Sequence, residues 1–587
     1  MQSITALLTQ KIANAFLACG YDQEYGTVVF SKTSFSQFQC NGALAAAKRH
    51  KRNPMDIAHE VKATVGQQAF FTVDVVNPGF INLNLADDFL AGYCSQMLQL
   101  DQLGFEPSVN PLSIIIDYGG PNIAKPLHVG HLRSAIIGQA IKNTARFMGH
   151  TVVGDVHLGD WGLQMGMVMA MFIKSDEHLA SLINQNRTEN LIVYPIAIQD
   201  LETIYPQASA LAKQDNLFLA ECRRITAELQ KGNETYTALW RNIVRTSVAD
   251  LKKNYAKLNV DFEEWKGESD SQPVIPSMVD DLKQRGYAYP SEGALVVDVA
   301  LPTDTSPIPP LILSKSDGAS LYSTTDLATI IQRKSQYEPD YILYVVDKRQ
   351  DTHFQQVFRC ADKVGLTQPD LRLEFIAFGT MNGKDGKPFK TRDGGVMKLS
   401  LLIDLIVAES QTRLQTVSTS TISAGSEQAA IAQVVGIAAL KFGDLINARE
   451  SDYIFDVDKF TAFEGKTGPY LLYSAVRIKS ILAKAAVQQI PLTEAIQVNS
   501  AHERALLLKI TELYDVIHST FDKRMPNVLA EYVYSLANLY NSFYHESHVL
   551  NEVDQAIQRS LVSIMSLSLK CIETCVGLLG ISVPDRM

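Results

Sequence analysis

The apolar positions change their period along the chain, and each change predicts a change of architecture. Ile4, Leu7, Leu8, Ile12, Phe16 and Leu17 recur at helical spacing. With Lys11, no Arg and no continuous apolar core, this opening segment reads as the first helix of the fold rather than a targeting sequence. Strand-like runs follow in QQAFFTVDVV and GFINLNL, and the turn formers of FEPSVNPLS mark a boundary near residue 108. SIIIDY (113–118) then reads as a buried parallel strand, followed by a Gly/Pro loop, the helical pattern LRSAIIGQAIKNTARFMG and a second strand, TVVGDVH. That order is a βαβ unit, the building block of a nucleotide-binding parallel sheet.

Residues from about 175 to 257 are polar and helix-like and read as an insertion, after which strands resume at ALVVDVAL, DYILYVVD and RLEFIAFG. Beyond about residue 400 helical periodicity takes over, which predicts an all-α bundle. The fold class expected is α/β. An α+β domain (1–108) precedes a Rossmann-like catalytic sheet domain (109–400), a connecting helical region (401–450) and a helical bundle (451–587). At 587 residues the chain exceeds one core and suggests about three or four domains. No uninterrupted run of 18 apolar residues occurs, so no membrane span is expected.

Charge and cysteine content narrow the function classes. The net charge of −10 disfavours a general nucleic-acid binder, while leaving room for a local positive strip on an acidic body. Lys48, Arg49, His50, Lys51 and Arg52 form one such strip, or a solvated helix face. The seven cysteines are scattered and odd in number, which fits a reducing compartment. Only Cys571 and Cys575 lie close together, in an apolar helical run that suits buried thiols better than zinc.

The chemistry concentrates in DYGGPNIAKPLHVGHLRS (117–134), between a strand and a helix, where an α/β sheet places its ligand crevice. His128 and His131 open the helix beside backbone N–H groups that favour phosphate. Two imidazoles there can stabilise a triphosphate as charge develops during in-line displacement at its α-phosphorus. Gly130 would let a flat adenine approach the backbone. A lone H-x-x-H carries little information, but this pair follows a buried strand and the string Pro121–Lys125.

His-Val-Gly-His resembles the "HIGH" signature of class I aminoacyl-tRNA synthetases, and PNIAKPLHVGHLRS followed by GDVHLGDWG resembles the arginyl-tRNA synthetase family in particular. The resemblance runs through most of the chain and is densest at 113–170, 315–400 and 436–480. It implies an arginine–tRNA ligase that uses ATP with Mg²⁺, carries no protein-bound zinc and acts on L-arginine and tRNA(Arg). It further implies a cytoplasmic protein, a monomer by family habit, with no membrane partner. The family's second signature, a lysine-bearing "KMSKS" loop, is replaced by GKDGKPFKTRDGG (383–395). Its Lys387, Lys390 and Arg392 can meet polyphosphate as a mobile loop, or form a plain solvated turn. Family members with a degenerate loop use the lysine before the HIGH string, which points to Lys125.

A guanidinium is a planar fork of donors with a permanent charge, so its pocket should hold carboxylates. Tyr322 and Asp326 are four apart, on one face of a helical turn. Carried over by resemblance, Asn122, Glu268, Tyr322, Asp326 and Gln350 match the family's arginine contacts, and Pro121, His128, Gly130, His131 and His353 its ATP contacts. Tyr470, Tyr473 and Arg477 share one helix side and can stack on splayed anticodon bases or pack within the bundle. Tyr540, Asn541, Tyr544 and Met587 match further parts of the family's anticodon surface, and Asn77, Phe80 and Asn82 its tRNA-elbow contact. The rival readings are a small-molecule nucleotidyltransferase, which leaves the helical third unexplained, and a non-catalytic RNA-binding relative, which does not need both histidines.

Overall fold

In the computed structural model, the residues described are 1–31, 36–314, 321–387, 389, 397–417, 426–493 and 495–587. The chain divides into two compact units. One comprises Met1–Ser108, Phe463–Leu578 and Ser582–Met587, the other Val109–Ala462 with Leu579–Ile581.

The second unit is built on a four-stranded parallel sheet. Its strands are β1 (Ser113–Tyr118), β2 (Thr151–Asp155), β3 (Tyr341–Asp347) and β4 (Arg372–Phe378), in the spatial order β4-β3-β1-β2. Ile116 of β1 lies opposite Gly154 of β2 on one side and Leu343 of β3 on the other. Ile114, Ile115 and Ile116 are all buried, as a strand covered on both faces requires. Helix α1 (Val129–Phe147) crosses from β1 to β2, α2 (Tyr322–Tyr337) precedes β3, and α3 (Asp351–Lys363) joins β3 to β4. The expected insertion is helical, with helices Glu177–Asn184, Thr188–Ile192, Ile198–Gln214, Asn216–Gln230 and Glu234–Lys257.

A buried cation holds this frame. The Arg333 guanidinium of α2 reaches Asp117 Oδ2 of β1 at 2.6 Å and Asp155 Oδ2 of β2 at 2.7 Å. Burial alone would raise the Asp155 carboxyl, but Arg333 holds it below its ordinary value. The pairing fixes α2 over the carboxyl ends of β1 and β2.

In the first unit, an antiparallel sheet is ordered Val28–Phe30, Phe38–Cys40, Phe80–Leu85, Phe71–Val76. The opening helix, Ile4–Ala18, is capped by Ser3 and buries Ile4, Leu8, Ile12 and Phe16, whereas Leu17 is exposed. Both ends of the chain meet here. Helix Asp87–Gln99 packs on helices Ala501–Thr511 and Gln555–Leu578, with Arg504 paired to Asp87 at 2.6 Å and the Ile496 amide donating to Ser95 Oγ at 2.9 Å.

The α/β fold class, the N-terminal α+β region and the helical C-terminal region are as expected. Helices Ser426–Leu445 and Gln555–Leu578 are long and apolar enough to cross a membrane, but 72% of each apolar window is buried within the protein. A few polar residues break each apolar run, so neither helix is an uninterrupted stretch of 18 apolar residues. Cys571 and Cys575 are buried in the second of these helices.

Candidate active site

The carboxyl ends of β1 and β3 border a cavity of about 570 Å³, lined by Asp117, Tyr118, Tyr344, Val345, Val346 and Asp347 together with residues of the loops that follow. The loop after β1 is tightly held. The Gly119 amide donates to Ser134 Oγ at 2.7 Å, and that hydroxyl donates to Val345 O at 2.6 Å. The Ile123 amide donates to Gly159 O at 2.9 Å and the Gly159 amide to Pro121 O at 3.0 Å, so the two glycine-bearing loops pair. A Cβ at Gly159 would lie 2.2 Å from Asn122 Oδ1, so only glycine leaves the Asn122 amide in place.

His128 caps α1. The Gly130 amide donates to His128 Nδ1 at 3.0 Å, and the His128 amide donates to His131 Nδ1 at 3.1 Å. With both Nδ1 atoms accepting, each ring carries its proton on Nε2 and offers one N–H donor. Desolvation, then the charges of Lys125 and Arg349, lowers the His128 pKa. Desolvation, then His128, pushes His131 down to about 3. Both are therefore neutral donors at neutral pH and act as dipoles rather than cations. A Cβ at Gly130 would sit 2.8 Å from His128 Cε1, so the glycine is needed for the ring as well as for a close ligand approach.

The same cavity collects Asn122, Glu268, Tyr322, Asp326, Gln350 and His353. Tyr322 and Asp326 lie one turn apart on α2, as their spacing implied, with Tyr322 66% exposed. Asp326 Oδ2 lies 2.6 Å from His353 Nε2, so these two residues, read separately in the sequence, are partners. Glu268 begins the short helix Glu268–Ser271. No described residue hydrogen-bonds its carboxylate, and desolvation, then the charges of Asp160 and Asp326, pushes it up to about 8. A half-buried carboxyl facing other carboxylates without a cation is electrostatically suited to a guanidinium.

Three sequence models match the chain: "tRNA synthetases class I (R), catalytic domain" over residues 94–457, "DALR anticodon binding domain" over 471–587 and "Arginyl tRNA synthetase N terminal domain" over 2–85. The chain is 49% identical to the arginine–tRNA ligase of Alkaliphilus oremlandii and 46% identical to that of Agathobacter rectalis, in each case across the whole of both chains. The chain belongs to the arginyl-tRNA synthetase family. Its fold is shared with the arginyl-tRNA synthetases of Plasmodium falciparum (TM-score 0.82, 23% identity) and Thermus thermophilus (TM-score 0.79, 20% identity), each over the full length of both chains.

Some of the residues that the family resemblance singles out lie outside the cavity lining. Pro121 is buried and does not line the cavity, and its carbonyl serves the pairing with Gly159. Lys125 also lies off the cavity wall, with its ammonium 4.4 Å from the Tyr205 ring centroid. Lys387 is exposed in a turn closed by the Gly383 amide on its carbonyl at 2.8 Å, while Lys390 and Arg392 lie outside the described residues.

In the first unit Tyr473 is 38% exposed, and the Arg477 guanidinium lies over both the Tyr473 and Tyr544 rings, at 5.5 and 5.2 Å. Tyr470 donates to Asn538 at 2.7 Å and accepts from the Asn541 amide at 2.7 Å. Tyr540 is a correction: it is fully buried with its hydroxyl unpartnered, because its helix turns this position into the bundle core. Asn82 is another, since it is buried in its strand and accepts from Gln39 at 2.9 Å. Asn77 is exposed and Phe80 half-buried in the same hairpin. Met587 is half-buried, and the adjoining segment is tied down by Lys479, which pairs with Asp585 at 3.3 Å. In the basic strip, all of it exposed, Arg49 pairs with Asp22 at 2.8 Å and Arg52 with Glu60 at 2.9 Å, while Lys48 and Lys51 make no ion pair among the described residues.

Sequence reasoning missed Ser134, Arg333 and Tyr205. Ser134 lies three residues after the second histidine of the HIGH string, so its place in the first turns of α1 was a usable signal. Arg333 and Tyr205 act across more than seventy residues of sequence, which no local pattern encodes.

Proposed function

We propose that the chain joins L-arginine to the 3′ end of tRNA(Arg) at the expense of ATP, and that the cavity at the sheet's carboxyl edge is where it does so. The observation that carries this reading is the placement of the unpaired Glu268 carboxyl and Asp326 in the same cavity as the two Nε2–H donors of His128 and His131. A cationic amino acid and a polyphosphate thus have complementary partners in one space.

Glu268 and Asp326 take the guanidinium, Tyr322 closes over its plane at the cavity mouth, and Asn122 and Gln350 hold the α-substituents. In the first step a carboxylate oxygen of arginine attacks the α-phosphorus of ATP. The new O–P bond replaces the bond to the β-phosphate, and pyrophosphate leaves with the Mg²⁺ that entered as part of the nucleotide. His128 and His131 donate to oxygens that gain charge in that step, and neutral donors suit it because they require no proton transfer. Gly130 supports the adenine, and Lys125 with Lys387, Lys390 and Arg392 meets the β- and γ-phosphates. His353 orients Asp326 from the wall of the same cavity, within which the nucleotide lies. In the second step the terminal ribose hydroxyl of tRNA attacks the activated carbonyl, loses its proton and releases AMP. No enzyme nucleophile is needed, because positioning and electrostatics suffice.

The exposed Tyr473, with Arg477 and Tyr544, offers stacking faces for unpaired anticodon bases. Asn77 and Phe80 meet the tRNA elbow. The protein acts in the cytoplasm as a monomer. Arginine-dependent ATP–pyrophosphate exchange with and without tRNA, followed by charging of tRNA(Arg), tests the reading. Exchange supported equally by other amino acids would overturn it.

A further inference from the structure

We infer that Tyr205, in the helical insertion, is a positioning residue that presents Lys125 to the phosphates of ATP. This rests on the reading of Lys125 as a phosphate contact. The loop carrying Lys125 is constrained: Ala124 sits at φ 62°, in the left-handed region, and its amide donates to Ser247 Oγ at 3.2 Å. A non-glycine residue holds that conformation only where its surroundings enforce it. The Lys125 ammonium is then 4.4 Å from the Tyr205 ring centroid and, among the described residues, makes no ion pair.

The choice of an aromatic partner has a consequence. A carboxylate would neutralise the ammonium and would have to be displaced by an incoming phosphate. A ring face restrains the long side chain while leaving its full charge available. Tyr205 lies on helix Ile198–Gln214, and one turn earlier on the same helix Glu202 pairs with Lys398 at 2.7 Å. Lys398 forms an antiparallel bridge with His128, while the Val129 amide donates to Met397 O at 3.1 Å and the Leu399 amide to Leu127 O at 2.8 Å. One insertion helix therefore holds Lys125 on one side of the HIGH turn and the segment following the lysine-rich loop on the other. On this geometry the insertion is part of the phosphate-handling machinery.

The test is ATP–pyrophosphate exchange by the full chain with saturating tRNA and arginine, for Tyr205→Leu, Tyr205→Phe, Lys125→Met and the double variant Lys125→Met/Tyr205→Leu. Losing a partly desolvated cation–π contact should raise the KM for ATP about five-fold with little change in kcat, whereas Tyr205→Phe, which keeps the ring face, should restore it. In the Lys125→Met background Tyr205→Leu should add nothing. An unchanged or lowered KM in Tyr205→Leu, or an equal effect with and without Lys125, overturns the proposal. Wild-type behaviour in Lys125→Met removes the reading of Lys125 and this proposal with it. An impaired Lys125→Met beside a normal Tyr205→Leu sinks only the role of Tyr205. Melting curves check folding, and Tyr205→Met, apolar without a π face, serves if Tyr205→Leu does not fold.

Discussion

Replacing Glu268 by Gln should make the empty protein more stable while damaging arginine binding, and both effects should depend on pH. The folded-state pKa of Glu268 is raised from 4.5 to about 8 by desolvation, Asp160 and Asp326. Between those values the folded protein binds a proton that the unfolded chain has released, so stability falls as pH rises through the window and levels off above it. At about 1.4 kcal/mol per pKa unit, the native state gives up at most about 3 kcal/mol at pH 7. Glu268→Gln removes that loss. Its melting temperature should exceed that of the parent, with the gap widening from pH 5 to pH 8.

Arginine reverses the sign, because a guanidinium favours the ionised carboxylate. If only the ionised form binds, affinity should fall about 25-fold between pH 8.5 and pH 6.5, and close to one proton should be released per arginine bound at pH 7. Titration calorimetry in buffers of different ionisation enthalpy measures both without requiring catalysis. Affinity that is flat across this range, or a Glu268→Gln variant that keeps the steep dependence, would refute the argument and remove Glu268 from the guanidinium pocket.

His131→Ala should lower the rate of adenylate formation about 10²- to 10³-fold with arginine affinity nearly unchanged, as expected for one lost donor to developing charge, and single-turnover kinetics would show it. Gly159→Ala should weaken arginine binding measured by calorimetry, because the new methyl must displace the Asn122 amide from a position 2.2 Å away. Arg333→Leu leaves two buried carboxylates unpaired and should cost about 3–5 kcal/mol in denaturant unfolding. Tyr473→Ala should weaken tRNA binding by about 1–3 kcal/mol in a filter-binding assay while leaving arginine affinity unchanged.

The sheet and its crossing helix were legible because their determinants are local. SIIIDY needs two covered faces, and HVGH follows it at the carboxyl edge where a parallel sheet opens. Tyr322 and Asp326 were legible as a pair because a helix repeats its face every four residues. The partnership of Asp326 with His353 was not, since it joins α2 to α3 through their packing on the sheet. The failures on the tRNA-facing side have a related cause. Tyr540, Asn541 and Tyr544 fall within about 100° of one helix face, and nothing in their spacing tells which edge of that face meets the bundle core. Tyr540 points into the core, Asn541 is spent on Tyr470, and Tyr544 stays beside Arg477.

The two histidines show why a motif alone understates its chemistry. From sequence they are a pair of imidazoles at a helix start, and a cationic pair facing phosphate is the obvious electrostatic guess. In the structure each Nδ1 accepts a backbone amide of the helix's first turn, so the cap and the donor are one ring with two ends. The cap consumes the nitrogen that would have to be protonated to make a cation, and desolvation opposes that charge again. What remains is an Nε2–H held by the backbone, which costs no reorganisation when the α-phosphate gains charge. Positive charge is left to other residues, of which Lys125 lies beyond the cavity wall. A protein that put the charge on the histidines themselves would lose its helix cap each time they were protonated. Separating the neutral donors from the cations lets the helix cap stay intact whatever the charged residues do.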